Sequence, residues 1–486
     1  MYRNPILYAD YSDPDVIRVG RDYYMVASSF TYVPGVPILH SQDLVHWEII
    51  NYAVRQLPFP KYDLPAHGSG AWAPAIRYHK GEFFVFIPLV DEGIFVARSR
   101  DIRGEFQLNC LVKAKGWIDP CPLWDDDGKA YMVFAYARSR CGIKHRLSLV
   151  EIDPECTRLL GEPQVIFHQE DIAPTIEGPK LYRRDGYYYI FAPAGGVATG
   201  WQMALRSRNI WGSYEYRTVL SQGDTQINGP HQGGWVTDTA GKDWFVHFQD
   251  VGALGRITHL QPINWEDGWP VMGDKGQPVA EHPLPAENAP RYEIATSDDF
   301  SGDTLGLQWQ WQANPKPEYY AMLRPGLKLS CWANPSWENY LWYAPNALTQ
   351  IPQHQDFRVT VEVTLHPEQP GDLAALGIIG HSYGYLALEE GWLRLYQGDV
   401  LDKEQLGAAR ESLVCQIPYP GNKTTLAVEV KDGAFRFFAG DTSLGEPMPL
   451  TCATWTGAKI CLWSANRENR ESGGFGEYQK FKEGAL

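Results

Sequence analysis

The sequence predicts an all-β protein in which a five-bladed β-propeller over residues 1–293 is followed by a β-sandwich over residues 294–486. Three observations predict this fold. Five stretches of the first part repeat one design: an apolar strand, a turn with a glycine, and a strand that opens with aromatic residues. The turn glycines recur at roughly 45 to 60 residues, which is typical of a four-stranded propeller blade. After residue 293 the repeat stops, and short strands of alternating polarity indicate a β-sandwich.

The five repeats follow one another along the first part of the chain. They read SDPDVIRVGRDYYMVAS, WAPAIRYHKGEFFVFIP, IDPCPLWDDDGKAYMVFA, IEGPKLYRRDGYYYIFAP and GPHQGGWVTDTAGKDWFVHF. Each predicts a β-hairpin whose turn holds one glycine, in chain order Gly20, Gly81, Gly128, Gly186 and Gly241.

Length and composition agree with a globular protein of two domains, since 486 residues are too many for one ordinary core. Aromatic residues make up 13% of the chain, which suits β-strands and also a sugar site, because flat rings stack on the apolar faces of sugars. The formal net charge is −15 and no basic stripe interrupts it. We therefore expect neither nucleic acid nor an anionic membrane as a partner.

The sequence also gives an expectation about the compartment. It has no apolar run long enough to span a membrane, and its start, MYRNPILYADYSDPD, lacks an apolar signal core. We therefore expect a cytoplasmic protein. The cysteines form no CxxC pair and no Cys/His zinc spacing, which predicts reduced core residues at all eight positions: 110, 121, 141, 156, 331, 415, 452 and 461.

The repeats place five side chains at nearly equivalent positions. Counting back from the turn glycine, three lie nine residues before it, one seven and one ten: Trp72, Asp119, Glu177, Asp13 and His231. The innermost strand of every propeller blade lines the central channel, so these side chains are predicted to converge on one pocket. The neighbouring acids 125–127 belong instead to a solvated turn.

Three carboxyl groups in one pocket suit glycoside hydrolysis. Like charges and partial burial raise the pKa of at least one of them, which keeps it protonated near neutral pH. A protonated acid can then donate to the leaving oxygen while an ionised one handles water or the anomeric carbon. A third acid can tune the donor. A cage for a hard metal ion is the competing interpretation, because Asp, Glu and His also bind such ions.

The motifs NPILYADYSDPDVIRVGRDYYMVASSF, GAWAPAIRY, GWIDPCPLWDDDGKAY and IEGPKLYRRDGYYY resemble those of glycoside hydrolase family 43. That family comprises β-xylosidases, α-L-arabinofuranosidases and arabinanases on a five-bladed propeller, and its enzymes invert the anomeric carbon. The resemblance implies that Asp13 is the general base, Asp119 the pKa-tuning acid and Glu177 the general acid. Inversion implies that the carboxyls of Asp13 and Glu177 stand about 6.5–9.5 Å apart.

The resemblance implies further contacts with a sugar. Phe30 and Trp72 match aromatic walls of the glycone pocket, with core packing as the alternative, and Arg256 matches a sugar-binding arginine, with a surface position as the alternative. Trp201, with Gln202, is a further predicted substrate contact. His231 matches a histidine that holds a calcium ion through water, although a hydrogen bond to Asp119 or to water is an equal alternative. No cofactor is expected to be required for the chemistry.

A linker rich in Pro, Ala and Glu leads into the second domain. Its strand FRVTVEVTL places alternate apolar residues on one face, and Asp432-Gly433 predicts a hairpin turn. Core packing is preferred to sugar binding for its tryptophans, and a turn is preferred to a calcium site for Asp298, Asp299 and Asp303. The family resemblance implies a concanavalin-like jelly roll that lends a loop to the pocket mouth. The tryptophans are Trp309, Trp311, Trp332, Trp337 and Trp342.

The leading hypothesis is therefore an inverting exo-glycosidase that removes β-D-xylose, and also α-L-arabinofuranose, from the ends of xylo-oligosaccharides. The alternatives are an enzyme that is primarily an α-L-arabinofuranosidase, a non-catalytic sugar-binding propeller, and a metal-dependent scaffold. A retaining fructan or sucrose hydrolase would usually carry a cysteine after the acid, where this chain has Gly178. We expect small xylo- or arabino-oligosaccharides as ligands, and a homo-oligomer fits the aromatic-rich sandwich.

Overall fold

The computed structural model of the protein describes residues 1–334, 338–401 and 408–486, so the predicted packing role of Trp337 lies outside the described residues. The all-β prediction is confirmed. Five sheets of four antiparallel strands form the first domain, and two sheets of seven strands form the second. Helical structure is limited to short turns at Pro60–Asp63, Arg138–Cys141, Gly252–Leu254, Pro317–Tyr319 and Leu341–Tyr343 in the described part of the chain.

Each propeller blade is a meander of four consecutive strands. Blade 1 consists of Asp15–Val19, Asp22–Val26, Gly35–Ser41 and Glu48–Val54, and blade 2 of Ala75–His79, Glu82–Leu89, Gly93–Ser99 and Gln107–Val112. Blade 3 consists of Trp117–Trp124, Ala130–Tyr136, Leu147–Ile152 and Gln164–Phe167. Blade 4 consists of Lys180–Arg184, Tyr187–Ala194, Trp201–Ser207 and Glu215–Leu220. Blade 5 consists of His231–Thr237, Asp243–Asp250, Arg256–Glu266 and Trp269–Met272.

The predicted turn glycines join the first two strands of each blade. All five have positive φ, from +65° at Gly20 to +83° at Gly128, a region in which glycine is the residue of lowest cost. A Cβ at four of them would meet open space, and one at Gly186 would lie in ordinary contact with Arg208 Nη1 at 3.6 Å, so backbone conformation and not crowding selects glycine there. The propeller also joins its two ends, because strand Tyr2–Arg3 pairs with Glu281–His282 after blade 5.

A buried ion pair connects the innermost strands near the propeller axis. Asp15 accepts hydrogen bonds from Arg77 Nη1 at 2.6 Å and from the backbone N–H of Ile76 at 2.9 Å. Arg77 Nη2 also reaches Cys121 Sγ at 2.9 Å, and its guanidinium lies over the ring of Tyr182 at 5.3 Å. These contacts link blades 1, 2, 3 and 4 through one cation.

The second domain is a sandwich of two sheets. The first sheet runs, in spatial order, through Trp309–Trp311, Leu348–Gln350, Lys459–Asn466, Asp372–Ile379, Ser382–Glu389, Trp392–Val400 and Ala409–Pro418. The second runs through Tyr320–Met322, Leu327–Ser330, Phe475–Ala485, Phe357–His366, Lys423–Lys431, Ala434–Ala439 and Thr442–Pro449. Strand Phe357–His366 alternates strictly between buried and half-buried residues, and a hairpin turns at Asp432-Gly433, as predicted.

The sandwich packs directly against the propeller, and its tryptophans contribute to packing. Trp309, Trp311 and Trp342 are buried and Trp332 packs on the same core, which agrees with the core interpretation. Trp311 exchanges backbone hydrogen bonds with Val33 of blade 1 at 2.6 and 2.9 Å. The ring of Trp342 stacks on His67 with 3.6 Å between centroids, and its carbonyl bonds His67 Nε2 at 2.9 Å.

Several smaller predictions can be compared with the structure. The acids 298, 299 and 303 cap backbone N–H groups or pair with Arg324, as turn residues do. None of the eight cysteines, all of which the structure describes, forms a disulfide. Four are buried and three half-buried, but the core prediction is wrong for Cys110, which is exposed on the outer strand of blade 2. The predicted domain boundary at 293/294 falls between the last propeller strand and the first sandwich strand.

Among the residues described, no helix has the length and apolar character needed to cross a membrane.

Removing the buried cation should destabilise the propeller strongly. Arg77→Met leaves the Asp15 carboxylate, whose side chain is fully buried, without its partner. We expect the free energy of unfolding to fall by about 3–5 kcal/mol, measured by urea denaturation. The control is Arg3→Met, because Arg3 forms an exposed pair with Glu281 and should contribute little. Equal effects of the two substitutions would contradict the role given to the Asp15–Arg77 pair.

Candidate active site

The predicted catalytic residues take part in two sets of hydrogen bonds. Glu177 Oε1 bonds His231 Nε2 at 2.9 Å, and Asp119 Oδ2 accepts the N–H of Gly178, the residue after Glu177, at 2.7 Å. Arg256 Nη1 lies 3.4 Å from Asp13 Oδ1. Asp13 and Glu177 also act electrostatically on Asp119. The structure therefore brings together the three acids and His231, which the repeats grouped, and Arg256, which the family resemblance added, while their catalytic roles stay predictions.

The backbone is irregular at both aspartates, Asp13 just before the first strand of blade 1 and Asp119 within the first strand of blade 3. Asp13 and Asp119 both have φ of +56°, a left-handed conformation that aspartate tolerates better than most residues. Asp119 lies within a register shift of the innermost strand of blade 3, between Ile118 and Cys121. A similar shift separates His231 from Gly233 in blade 5. Bulges of this kind re-aim side chains beside active sites, which explains why an aspartate interrupts an apolar strand.

Asp13 is buried and surrounded by donors. Ser28 Oγ donates to Asp13 Oδ2 at 2.5 Å, and the guanidinium of Arg256 faces both carboxylate oxygens at 3.4 and 3.5 Å. Arg256 is only 9% exposed, so its alternative interpretation as a surface arginine is wrong. The sequence analysis missed Ser28, which lies two residues after strand Asp22–Val26 and has no motif of its own.

The pKa values of Asp119 and Glu177 are shifted in opposite directions. Burial and the charge of Glu177 raise the pKa of Asp119 to about 8, against the lowering effects of Lys180 and the Gly178 N–H. Burial also raises the pKa of Glu177, but the hydrogen bond and charge of His231, helped by Lys144 and Arg256, bring its pKa below the ordinary value. The two neighbouring carboxyls therefore hold one proton near neutral pH, on the Asp119 side.

Lys180 is a second residue that the sequence analysis missed, although it follows the EGP motif directly. Its side chain is fully buried, and Nζ has no hydrogen-bond partner among the described residues. Its charge acts on Asp119 and lowers the pKa of that carboxyl. Lys180, in the first strand of blade 4, thus partly offsets the negative charge of the carboxyl groups around Asp119.

His231 has one nitrogen engaged and one free of protein contacts. The predicted hydrogen bond to Asp119 is wrong, because Nε2 bonds Glu177, while the buried Nδ1 has no partner in the described structure. Within the described ranges, no three His, Cys, Asp or Glu side chains are grouped to hold a metal. Calcium prefers oxygen ligands, so these residues do not form a direct cage for it. A calcium ion held through water stays a prediction.

A cavity of about 990 Å³ lies between the two domains and reaches this region through Arg256. The propeller lines it with His67, Asp91, Arg140 and Arg256, among others. The sandwich lines it with His381 and the loop 452–456. The predicted loop at the pocket mouth is therefore present in the structure.

Aromatic rings continue from the propeller into this loop. The rings of Phe30 and Trp72 meet edge to face with 6.1 Å between centroids, and Trp72 meets Trp455 at 6.0 Å. Arg140 lies over Trp72 at 5.7 Å. Phe30 is buried, whereas Trp455 is 49% exposed. Trp455 was missed in the sequence because TCATWTG has no counterpart in the blade repeats.

The remaining predicted substrate contacts, Trp201 and Gln202, pack against other parts of the protein. Trp201 packs at the core between blades 3 and 4, against Gly195, where a Cβ would lie 2.6 Å from its ring. Gln202 is fully buried and its Nε2 donates to the Met203 carbonyl at 3.1 Å. Val197, in the same hairpin, lines the cavity. Contact between Trp201 and a sugar stays a prediction.

Neutralising Asp119 should stabilise the protein, and increasingly so at higher pH. Its folded-state pKa of about 8 lies above the ordinary value of 3.8, so the native carboxyl keeps a proton that the unfolded one has lost. Native stability therefore falls as pH rises through that window. Asp119→Asn keeps an acceptor for the Gly178 N–H and removes this cost.

We expect Asp119→Asn to raise the thermal midpoint by at least about 2–4 °C at pH 8, which corresponds to about 1 kcal/mol. The gain should shrink towards pH 4, as calorimetry across this range would show. Asp127→Asn, at an exposed position in the turn of the same blade, is the control for a general loss of negative charge. A gain that is constant with pH would contradict the raised pKa of Asp119.

Comparison with known proteins places this site in a family. The model of "Glycosyl hydrolases family 43" matches residues 2–270, more than half of the chain, and that of the "Beta xylosidase C-terminal Concanavalin A-like domain" matches residues 297–482. A solved variant of a family 43 protein from Bacillus licheniformis aligns over all of both chains with a TM-score of 0.86 and 26% identity.

Curated relatives agree with the family models. A Xylanibacter ruminicola protein provisionally named a β-xylosidase is 44% identical over 65% of this chain and 59% of its own length. A β-xylosidase of Formosa agariphila is 31% identical over 71% of this chain and 64% of its own. A non-reducing end α-L-arabinofuranosidase of Bacteroides ovatus is 31% identical over 67% of this chain and 64% of its own. This chain thus aligns with less than two thirds of the length of each. It belongs to glycosyl hydrolase family 43, with a concanavalin A-like domain of the β-xylosidase type at its C-terminal side.

Proposed function

We propose that this protein is an inverting exo-glycosidase that removes terminal β-D-xylose, and also α-L-arabinofuranose, from xylo-oligosaccharides. The observation that carries this proposal is the set of three carboxyls with three different environments. Asp13 faces an arginine, Asp119 is buried and holds a proton, and Glu177 is paired with a histidine. Inverting hydrolysis needs a base, an acid and control over the proton between them.

Asp13 is suited to be the base. Its two oxygens accept hydrogen bonds from Ser28 and Arg256, which orient the carboxylate and leave it available to water. In the reaction, water attacks the anomeric carbon and passes a proton to Asp13 as the bond to the leaving oxygen breaks. Arg256 holds the Asp13 carboxylate in this orientation. Because Arg256 also lines the cavity, it can contact sugar hydroxyls as well.

Glu177 is suited to be the acid, because 25% of its side chain is exposed while Asp119 is buried to 1% exposure. A sugar that covers Glu177 removes its water, which raises the pKa of that carboxyl and draws the shared proton from Asp119. Glu177 then gives the proton to the leaving oxygen. Asp119 acts as the reserve that keeps the proton near the donor at neutral pH.

The sandwich supports exo action. Its loop 452–456 covers one side of the cavity, and the ring of Trp455 meets that of Trp72 at the glycone side. A cavity bounded by two domains accepts the end of a short chain more readily than the middle of a long one. The names of the relatives, β-xylosidase and non-reducing end α-L-arabinofuranosidase, support the same action.

An enzyme that is primarily an α-L-arabinofuranosidase is the second candidate. The α-L-arabinofuranosidase of Bacteroides ovatus supports it, whereas the xylosidase/arabinosidases of Humicola insolens and Butyrivibrio fibrisolvens are named for both activities. A non-catalytic sugar-binding propeller is disfavoured because all three acids are present and connected.

The test of the proposed function compares kcat/KM for p-nitrophenyl β-D-xylopyranoside and p-nitrophenyl α-L-arabinofuranoside. We expect turnover of at least one, and the ratio identifies the preferred sugar. Proton NMR of the first product from the xyloside should show α-D-xylose, because inversion changes the β configuration. An initial β product would contradict inversion, and inactivity on both glycosides would contradict the proposal.

The acid and the base should respond differently to the leaving group. Glu177→Gln should lower kcat about 10²–10⁴-fold on xylobiose, and much less on the p-nitrophenyl glycoside, whose leaving group needs little protonation. Asp13→Asn should lower kcat by a similar factor on both substrates. Equal losses on both substrates in Glu177→Gln would contradict its role as the acid.

A further inference from the structure

Asp10, three residues before the proposed base, connects the two domains through a single carboxylate. It is 6% exposed. Its Oδ1 accepts the backbone N–H of Arg256 at 2.9 Å, at the start of the third strand of blade 5. Its Oδ2 accepts the backbone N–H of Gly457 at 2.8 Å, in the sandwich loop that precedes strand Lys459–Asn466. One side chain of the propeller thus binds a loop of each domain.

The two loops meet backbone to backbone around this carboxylate. A Cβ at Gly255, which has φ of +82°, would lie 2.4 Å from Asp10 Oδ1 and 2.8 Å from the nitrogen of Gly457. A Cβ at Gly457 would lie 2.5 Å from the carbonyl of Leu254. The N–H of Ala458 also donates to the carbonyl of Ala253 at 2.8 Å. Such an approach leaves no room for side chains and fixes the two loops relative to each other.

The charge of Asp10 is balanced from the sandwich. Lys459 is 3% exposed, and its ammonium lies 4.4 Å from the ring of Tyr32 in the propeller. Burial lowers the pKa of Lys459 to about 8, and the nearby charge of Asp10 opposes this shift. Burial likewise raises the pKa of Asp10, whereas the charge of Lys459 and the N–H groups of Arg256 and Gly457 lower it. The residues that stabilise Asp10 therefore come from both domains.

Both loops also serve the candidate active site. Arg256 extends its guanidinium towards Asp13, and residues 452–456 line the cavity just before Gly457. We propose that Asp10 is a positioning residue: it holds Arg256 against Asp13 and the sandwich loop over the cavity, so that full activity requires the docked sandwich. This inference rests on the proposed function, because it assigns Asp10 a role in that same reaction.

Kinetics of Asp10→Asn and Asp10→Ala test the inference. Asparagine keeps one acceptor and points an N–H₂ group at the other N–H donor, so it should retain more activity than alanine. We expect kcat/KM on the p-nitrophenyl glycoside that the wild type prefers to fall about 10- to 100-fold in Asp10→Asn, at a temperature where every variant is folded. The fall should be larger in Asp10→Ala.

A matched control separates positioning from loss of stability. Asp372 is also a buried aspartate that accepts two backbone N–H groups, from Glu368 at 2.9 Å and Gln369 at 3.0 Å, within the sandwich. Asp372→Asn should lower the thermal midpoint while kcat/KM stays within about twofold of wild type, because changes at distant independent sites do not couple.

A double-mutant cycle identifies the residue through which Asp10 acts. In an Arg256→Met background, adding Asp10→Asn should lower kcat/KM by less than about threefold, because the side chain that Asp10 positions is already gone. Fully additive losses would overturn the inference. So would wild-type kinetics in Asp10→Asn, or equal kinetic losses in Asp10→Asn and Asp372→Asn.

Hydrogen exchange distinguishes this inference from the proposed function. The amides of Arg256 and Gly457 donate to Asp10, so both should exchange faster in Asp10→Ala and keep wild-type rates in Asp372→Asn. Unchanged exchange at both amides would overturn the role of Asp10 as a connection. A wild type inactive on both glycosides would overturn the proposed function, and the exchange rates would still decide whether Asp10 joins the loops.

Discussion

The burial of carboxylates near the propeller axis is the constraint on which the rest of the structure depends. An ionised carboxylate cannot stay in a low-dielectric interior without a compensating charge or proton. Asp15 is balanced by Arg77 and Asp13 by Arg256, and Glu177 is hydrogen-bonded to His231. In the described part of the chain, no ion pair reaches Asp119, so that carboxyl takes a proton instead. Under the proposed function, this is the proton that Asp119 would hold for Glu177.

The need to compensate buried carboxylates also links the sandwich to the candidate active site. Asp10 lies on the segment that leads to Asp13, and its charge is shared between donors of the propeller and of the sandwich. The contacts between Trp342 and His67, which also lines the cavity, and between Trp311 and Val33 hold the domains together. The cavity between the domains is therefore a product of their docking, and its shape depends on both.

The sequence alone predicted much of the fold and the acidic core of the site. Turn glycines and strand patterns are local features, since each hairpin needs a residue that adopts positive φ, and their recurrence revealed the blades. Equivalent positions in repeated blades converge by symmetry. The repeats alone therefore group Asp13, Asp119 and Glu177. The hairpin at Asp432-Gly433 and the one-sided strand Phe357–His366 followed from the same local rules.

Only the tertiary structure decided how these groups are paired. His231 bonds Glu177 and not Asp119, and Arg256 is buried against Asp13, because bulges and loop approaches set those distances. From a different domain, Trp455 reaches the cavity and Gly457 reaches Asp10, 447 residues away, and no periodicity encodes such contacts. The sequence determined which side chains line the axis, because repetition fixes their position. The packing of the two domains determined their charges and partners, because burial and distance exist only in the folded chain.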